Sequence, residues 1–319
     1  RQENSSQRQT SRQENRSRCQ AGRQKIWRHD SESCRHGTQP NHAFSQSAPE
    51  KSFVETTTFS IQEEKCYATR GMDSEVFITS TDKLDSGGFG IVYSAHSTRG
   101  WTGVAKRVAS DKAYFAELSI LRQLPQCANL SNVIHANDVE RTLFFDHAGV
   151  NFFDIVEGGY HLPTEAWVQL FSAVALLNNN DIAHRDLKLE NLMWNGWIAK
   201  IIDFGLSKVG DSRRCHSKCG TRSYCAPEVL AERPYDGTKA DLWSLGVCLF
   251  AYCCGFFPFT EASDVDWRWQ RLKLVGISTK AVLDLYQAPI VRLPHELSCW
   301  GIAIDRMLTV DASRRELPS

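Results

Sequence analysis

Two carboxylates and one carboxamide stand at short spacings near the middle of the chain. Asn191 lies five residues after Asp186, and Asp203 lies twelve residues after Asn191. Mg²⁺ prefers oxygen ligands such as these, and a carboxylate in the same place can accept the hydrogen bond of a hydroxyl group. The set predicts a site that holds metal ions and a hydroxyl around one phosphate. A single Asp more often caps a turn, so the prediction depends on the whole set.

Three short motifs include or follow these residues, and they occur in a fixed order. They are His184-Arg185-Asp186, Asp203-Phe204-Gly205 and Ala226-Pro227-Glu228. With Asn191, they resemble the signature of eukaryotic-type protein kinases, and the resemblance extends from about residue 76 to 315. It implies that Asp186 is the catalytic base and that Asn191 and Asp203 bind Mg²⁺ beside ATP.

A glycine turn between two strands is predicted upstream, from Leu84 to Tyr93. Glycine lets backbone N–H groups approach phosphate oxygens, because no Cβ stands in the way. In the kinase pattern G-x-G-x-x-G-x-V, Asp85 occupies the position of the first glycine. This acid could weaken ATP binding or only stiffen the hairpin. The resemblance implies nucleotide contacts from Leu84, Gly87, Gly88, Phe89, Gly90 and Val92.

Lys106 stands where kinases carry the lysine of the V-A-I-K strand. The resemblance implies that Lys106 binds the ATP phosphates and that Val104 covers the adenine together with Val92. Ser110 and Asp111 then offer a helix start.

The helix that follows is predicted to end at Pro125 and to bury the stripe Phe115, Leu118, Leu121 and Leu124. Glu117 lies beside that stripe and is the predicted ion-pair partner of Lys106. A solvated surface glutamate is the alternative, because charged helix residues usually face water.

The remaining nucleotide contacts are implied by the resemblance alone. Phe145 is the expected gatekeeper, the backbone of Asp146 and Ala148 is expected to contact the adenine, and Met193 closes the pocket from below. Asn151 replaces an acid that kinases often use on ribose or on basic substrates.

The residue types at Lys188 and Thr221 match those of serine/threonine kinases rather than those of tyrosine kinases. Within the serine/threonine kinases, the chain most resembles the calcium/calmodulin-dependent group. The resemblance implies that Lys188 steadies the transferred phosphate and that Thr221 bridges it to Asp186. Arg185 is the expected receiver of a phosphate placed on Ser217 by an upstream activating kinase. The alternative for Ser217 is a solvated loop serine.

Two contacts and one aromatic set are expected to hold the large lobe together. Glu228 is predicted to pair with Arg315, and Asp241 to cap and anchor the buried central helix. The tryptophans expected to fill the base of this lobe are Trp267, Trp269 and Trp300.

Composition favours an intracellular enzyme, in the cytoplasm or nucleus. The 37 acidic residues balance the 37 basic ones, which argues against bulk nucleic-acid or membrane binding. The eleven cysteines form no repeated framework, so reduced thiols are expected. The longest apolar stretch, from Leu242 to Phe259, is interrupted by Ser244 and Pro258 and is expected to be a core helix rather than a membrane span.

The sequence predicts an α+β fold, the bilobal protein kinase fold, with a small antiparallel sheet lobe carrying one helix and a larger helical lobe. Residues 1–60 are rich in Arg, Gln and Ser and are predicted to be disordered. Residues 61–75 are a lead-in without a clear assignment, 76–149 the small lobe and hinge, and 150–319 the large lobe, expected to be cut short in a chain that lacks an initiating Met. The predicted activity is transfer of the γ-phosphoryl group of ATP to Ser/Thr hydroxyls of protein substrates. The protein is expected to act in signalling and to be a monomer. The alternatives are a pseudokinase scaffold without turnover and a fragment that does not fold alone.

Overall fold

The computed structural model describes residues 67–70, 75–87, 90–287 and 291–318. The predicted disordered segment, residues 1–60, and most of the lead-in lie outside these ranges. So do Gly88 and Phe89, two of the predicted nucleotide contacts.

The small lobe is built on one antiparallel sheet with the strand order β1-β2-β3-β4-β6-β5. The strands are β1 (Tyr67–Arg70), β2 (Val76–Gly87), β3 (Gly90–Ser97), β4 (Thr102–Val108), β5 (Val133–Asn137) and β6 (Thr142–Asp146). Since side chains alternate between the faces of a strand, the register sorts them into two sets. On one face, Lys106 lies opposite Val92 and Leu143, and Val104 lies opposite Phe145. The other face carries a small core of Phe77, Ala95, Ala105 and Phe144, against which Trp101 packs.

Helix α1 (Asp111–Leu121) follows β4 and begins at the predicted residue, because Ser110 caps it by accepting a hydrogen bond from the N–H of Ala113. Its buried residues are Tyr114, Glu117, Leu118 and Leu121. The predicted stripe was therefore wrong at Phe115, whose side chain is 53% exposed. Neighbouring helix residues point about 100° apart, so a face centred on Glu117 and Leu118 takes in Tyr114 and leaves Phe115 outside.

The large lobe is mainly helical. Its elements are β7 (Val150–Asn151), α2 (Phe152–Glu157), α3 (Thr164–Asn179), β8 (Ile182–Ala183), a 3-10 turn (Leu189–Asn191), β9 (Leu192–Trp194), β10 (Ala199–Ile201), β11 (Lys208–Val209), α4 (Pro227–Leu230), α5 (Gly237–Cys254), α6 (Trp267–Val275), α7 (Thr279–Tyr286), α8 (Pro294–Met307) and a second 3-10 turn (Ala312–Arg314). Strands β10, β9 and β7 form one small sheet, and β11 pairs with β8. The predicted α+β, two-lobed fold is confirmed.

Helix α5 is the central helix of this lobe, and every residue in it except Lys239 is buried. The predicted capping role of Asp241 was wrong. The helix begins one turn earlier, and Asp236 caps it by accepting hydrogen bonds from the N–H groups of Thr238 and Lys239. Asp241 instead accepts hydrogen bonds from the N–H groups of His184 and Arg185. Among the described residues, no helix has both the length and the apolar character of a membrane span.

The predicted aromatic base of the lobe is present only in part. Trp269 is buried against Trp243, with ring centroids 5.8 Å apart, and Trp300 packs edge-on against Phe171. Trp267 is 62% exposed, so the prediction was wrong there. Trp267 and Trp269 are two positions apart on α6, about 200° around the helix, so they cannot both face the core.

Candidate active site

The side chain of Lys106 on β4 connects the two lobes across the cleft between them. Its Nζ lies 2.6 Å from Glu117 Oε1 on α1 and 2.7 Å from Asp203 Oδ1 of the large lobe. The predicted pair of Lys106 and Glu117 is therefore present, and Glu117 is buried rather than solvated. Glu117 lies 11 residues after Lys106 and Asp203 lies 97 residues after it, and both contact the same ammonium group.

One ammonium between two carboxylates sets the pKa of each member of this group. Burial opposes the charge of Lys106, but the attraction of Asp203 and Glu117 prevails and raises its pKa. Burial raises the pKa of Glu117, and the nearby charge of Asp203 adds to the increase. Burial alone would raise the pKa of Asp203 as well, yet Lys106 holds it below its ordinary value. The arrangement keeps Asp203 ionised.

The loop that carries Asp186 is fixed from below by helix α5. The buried carboxylate of Asp241 accepts hydrogen bonds from the N–H of His184 at 2.6 Å and from that of Arg185 at 2.8 Å. Arg185 adopts the left-handed backbone conformation, with φ 65°, which a non-glycine residue holds only when its surroundings fix it. His184 accepts or donates at Nε2 with the carbonyl oxygen of Ile202, 2.9 Å away. Burial raises the pKa of Asp241 to about 7, and the two N–H groups oppose that increase.

The carboxylate of Asp186 is held by two side chains that the sequence also singled out. Thr221 donates to Asp186 Oδ1 from its hydroxyl at 2.9 Å and from its N–H at 2.8 Å. Lys188 Nζ lies 3.1 Å from Asp186 Oδ2 and 3.1 Å from Thr221 Oγ1. Burial opposes the charge of Lys188, but Asp186 and Glu190 outweigh it and raise the pKa. Asp186, Lys188 and Thr221 therefore each contact the other two.

Asn191 and Asp203 fit the ligand chemistry of Mg²⁺. Asn191 is buried and donates from Nδ2 to the carbonyl oxygen of Asp186 at 2.9 Å, so its amide nitrogen is committed and its oxygen is turned away from that contact. Asp203 has φ 63° and uses Oδ1 for Lys106. The amide oxygen of Asn191 and Oδ2 of Asp203 take part in none of these contacts. Oxygen ligands of these two kinds suit a small hard cation.

The described residues contain no group of three or more His, Cys, Asp or Glu side chains that could hold a metal by themselves. A site made of Asn191 and Asp203 would need further oxygen ligands, and phosphate groups supply them where Mg²⁺ is bound through one or two carboxylates.

Several of the predicted nucleotide contacts lie on the face of the sheet that carries Lys106, which we call the inner face. Val104 lies directly opposite Phe145, and Val92 opposite Lys106, so the register places all four on one face. Gly90 has φ 147°, and a Cβ at this position would lie 2.2 Å from the carbonyl oxygen of Arg107. No residue but glycine fits there.

The other predicted contacts lie at the rim of the cleft or in the loop that joins the lobes. Leu84 is 54% exposed on β2, and Gly87 ends that strand. Asp146 ends β6, Ala148 follows in the connecting loop, and Met193 lies on β9. The departure Asp85 is exposed on β2, and its Oδ1 accepts the N–H of Ser86 at 2.7 Å.

The predicted regulatory pair is in contact. Arg185 Nη1 donates to Ser217 Oγ at 2.9 Å, and its Nε donates to the carbonyl oxygen of Leu206 at 2.7 Å. Tyr235, which no sequence motif singled out, donates its hydroxyl to the carbonyl oxygen of Ser217 at 3.0 Å. No local pattern marks Tyr235, because its partner lies eighteen residues away along an irregular segment.

Residues 78–316 match the protein family described as the protein kinase domain. Among curated proteins, CBL-interacting serine/threonine-protein kinase 19 of Arabidopsis thaliana is 36% identical over 198 residues, which cover 56% of this chain and 41% of the relative. CBL-interacting serine/threonine-protein kinase 18 of the same plant is 36% identical over 198 residues, with 56% and 38% covered. CBL-interacting protein kinase 26 of Oryza sativa subsp. japonica is 33% identical over 203 residues, with 58% and 41% covered. The chain spans less than half the length of these curated relatives.

Proposed function

Because the chain belongs to the protein kinase domain family, we propose that it transfers the γ-phosphoryl group of ATP to serine or threonine hydroxyl groups of protein substrates. The resemblance predicted from the sequence, to a serine/threonine protein kinase near the calcium/calmodulin-dependent group, is confirmed. The observation that carries the proposal is the position of Lys106 Nζ, 2.6 Å from Glu117 and 2.7 Å from Asp203. A lysine held between a glutamate of the small lobe and an aspartate of the large lobe is a contact that protein kinases use for phosphoryl transfer, and its presence supports the proposal.

Asp186 is the proposed base for the substrate hydroxyl. Its Oδ1 is already oriented by Thr221 and its Oδ2 lies against Lys188, so a hydroxyl group that enters the cleft meets a carboxylate with a fixed direction. Orientation of this kind lowers the entropy that must be lost before reaction. Lys188 also places a positive charge where charge develops on the transferred group.

Lys106, Asn191 and Asp203 are the proposed holders of the phosphates and of the metal. The kinase family uses ATP and Mg²⁺ generally, and Mg²⁺ would neutralise charge on the phosphate oxygens when bound. Lys106 contributes an ammonium whose raised pKa keeps it charged. Glu117 holds that ammonium from the small lobe, and Asp203 and Asn191 offer carboxylate and amide oxygens from the large lobe.

The nucleotide and regulatory roles complete the proposal. We assign the adenine to the face lined by Val92, Val104 and Phe145, with the backbone of Asp146 and Ala148 at its edge. The remaining proposed nucleotide contacts are Leu84, Gly87, Gly88, Phe89, Gly90 and Met193. Arg185 would receive a phosphate on Ser217, which an upstream kinase would add.

The domain bounds and surroundings of the protein are proposals as well. We propose a kinase domain over residues 76–319, a monomer that acts on protein substrates inside the cell. Free cysteines among the described residues are consistent with a reducing compartment, the cytoplasm or nucleus.

The test is phosphate transfer from labelled ATP with Mg²⁺ to a mixture of proteins that carry Ser and Thr, with the wild-type chain and Asp186→Asn compared. We expect transfer by the wild type and a loss of at least about 100-fold in the variant, the lower end of what general base catalysis contributes. The asparagine keeps the shape of the side chain but cannot accept the hydroxyl proton.

A parallel melt with and without ATP and Mg²⁺ separates the alternatives. If neither protein transfers phosphate while ATP still raises the melting temperature of both, the chain is a nucleotide-binding scaffold and the proposed turnover is wrong. Equal transfer by both proteins would refute the role of Asp186.

A further inference from the structure

Trp101 stands at the end of the turn between β3 and β4, and its backbone is fixed by Ser97. The N–H of Ser97 donates to the carbonyl oxygen of Trp101 at 2.8 Å, and the N–H of Trp101 donates to Ser97 Oγ at 3.1 Å. These two bonds face each other across the turn, which places the indole at a defined position beside the sheet.

The indole of Trp101 lies on the outer face of the sheet, the face opposite Lys106. Its ring centroid is 5.4 Å from that of Phe77 and 6.3 Å from that of Phe144, with edge-on geometry in both pairs. Gly103 makes room for it, because a Cβ there would lie 2.3 Å from a carbon of the indole ring. Aromatic pairs with edge-on geometry contribute beyond their buried area, so the ring is held on three sides.

The polar end of this indole reaches the segment that joins the lobes. Trp101 Nε1 donates to Asp146 Oδ1 over 2.9 Å. Asp146 is the last residue of β6 and lies opposite Gly103 in the ladder. Residues 147–149 then leave the sheet, and Gly149 has φ 98° with its N–H bonded to His147 Nδ1. We call residues 146–149 the hinge segment.

We propose that Trp101 is a positioning residue for nucleotide binding, which acts by holding the carboxylate of Asp146 and with it the hinge segment. The adenine side of this statement rests on the proposed function, since the backbone of Asp146 and Ala148 is assigned to the adenine there. The hydrogen bond is made on the outer face, so it leaves the inner face open. A segment fixed before the ligand arrives loses less entropy on binding.

The contribution of this contact is a single hydrogen bond to a carboxylate at an exposed position. A net value of about 1 kcal/mol corresponds to roughly a fivefold change in an equilibrium constant. We therefore expect Trp101→Phe, which keeps an aromatic ring and removes the donor, to weaken ATP binding about fivefold. The KM for ATP rises by that factor and kcat stays within twofold, because no reacting group is moved.

The experiment uses the full chain and three variants, namely Trp101→Phe, Asp146→Ala and the double variant. Phe77→Leu is the matched control, because it loosens the same aromatic cluster without touching the hydrogen bond. Two quantities are measured, the dissociation constant for ATP by calorimetry and the hydrogen-exchange rate of the amides of the hinge segment without nucleotide. Both single variants are expected to speed hydrogen exchange in this segment. The double variant is expected to bind ATP no more weakly than the single variant that binds it more weakly.

The two measurements separate failure of this inference from failure of the proposed function. If the wild type does not bind ATP, the proposed function is wrong and the exchange rates alone decide the role of Trp101. Unchanged exchange in the hinge segment of Trp101→Phe, or equal acceleration in Phe77→Leu, would overturn the inference. So would additive effects in the double variant, since two residues that act through one bond must be coupled.

Discussion

At the scale of single residues, the site depends on one positive charge shared by two carboxylates. Lys106 cannot neutralise both carboxylates. Glu117, the less exposed of the two, has a raised pKa, whereas Asp203 has a lowered pKa. Asp203 therefore stays ionised, as the proposed binding of Mg²⁺ would require. A lysine between two acids is also a folding contact, because both acids are largely shielded from water.

Lys106→Met should make the stability of the protein depend on pH in a different way. In the wild type, ionised Asp203 contributes stability above its unfolded pKa of 3.8, and this contribution is lost as pH falls through the lower folded pKa. Without Lys106, burial raises the pKa of both carboxyls, so the variant loses stability as pH rises above about 4. The difference in melting temperature between wild type and variant is expected to grow from pH 4 to pH 7.

Calorimetric melts at several pH values measure this difference. Lys112→Met, at an exposed position on α1, is the control and should follow the wild type at each pH. A gap between wild type and Lys106→Met that is the same at pH 4 and pH 7 would contradict the electrostatic account and leave only lost packing.

At the scale of secondary structure, helix α5 holds the loop that carries Asp186 by one side chain, that of Asp241. Asp236 satisfies the end of its own helix, and Asp241 satisfies two N–H groups of the loop that carries Asp186. The two acids are five residues apart and do different work. One sets where the helix begins, and the other sets where the loop lies.

Asp241→Ala and Asp236→Ala should therefore differ in both stability and activity. Asp236→Ala removes a helix cap, which costs about 1 kcal/mol. Asp241→Ala leaves one buried and one partly buried N–H group without their acceptor, at up to about 1–3 kcal/mol for each group, and frees the loop that carries Asp186. Urea unfolding is expected to give the larger loss for Asp241→Ala, and phosphate transfer measured where both variants are folded should fall only in that variant. Equal losses for the two variants in both assays would contradict a specific role of Asp241 in holding the loop.

The errors of the sequence prediction also belong to this scale. Motif spacing was sufficient to predict that Lys106, Asp186, Asn191 and Asp203 meet in one region, which their contacts show, while the roles of these residues stay predictions. It was not sufficient for Phe115 or Trp267, where one position on a helix decides between core and solvent. The contact of Trp101 with Asp146 joins residues 45 positions apart, and neither residue carries a local pattern that points to the other.

At the scale of the whole molecule, Arg315 fastens the end of the described chain to the large lobe. Its guanidinium is fully buried and binds both oxygens of Glu228 at 2.6 and 2.8 Å. It also donates to the carbonyl oxygens of Thr309, Lys239 and Val310. The pair was predicted from the motifs, whereas these carbonyl partners depend on how three segments converge and could not be read from the sequence.

Arg315→Leu is expected to lower the free energy of unfolding by about 3–5 kcal/mol, because it leaves a largely buried carboxylate without its partner. Chemical denaturation measures the loss. Arg314→Leu is the matched control, since Arg314 is the exposed neighbour and its replacement should change stability by less than about 0.5 kcal/mol. Similar losses for both variants would show that the segment, rather than the buried ion pair, is responsible.

The burial of α5 allows the opening of the large lobe to be followed by cysteine labelling. Cys248, Cys253 and Cys254 lie on this helix with at most 3% of each residue exposed, and burial raises the pKa of each thiol, so they react with an alkylating reagent only when the lobe opens. Cys299 is exposed and is expected to be modified first. The ratio of slow to fast labelling therefore reports how often the core of the large lobe comes apart under native conditions. A nucleotide that closes the two lobes on each other should slow the labelling of these three buried thiols without any change in the thiols themselves.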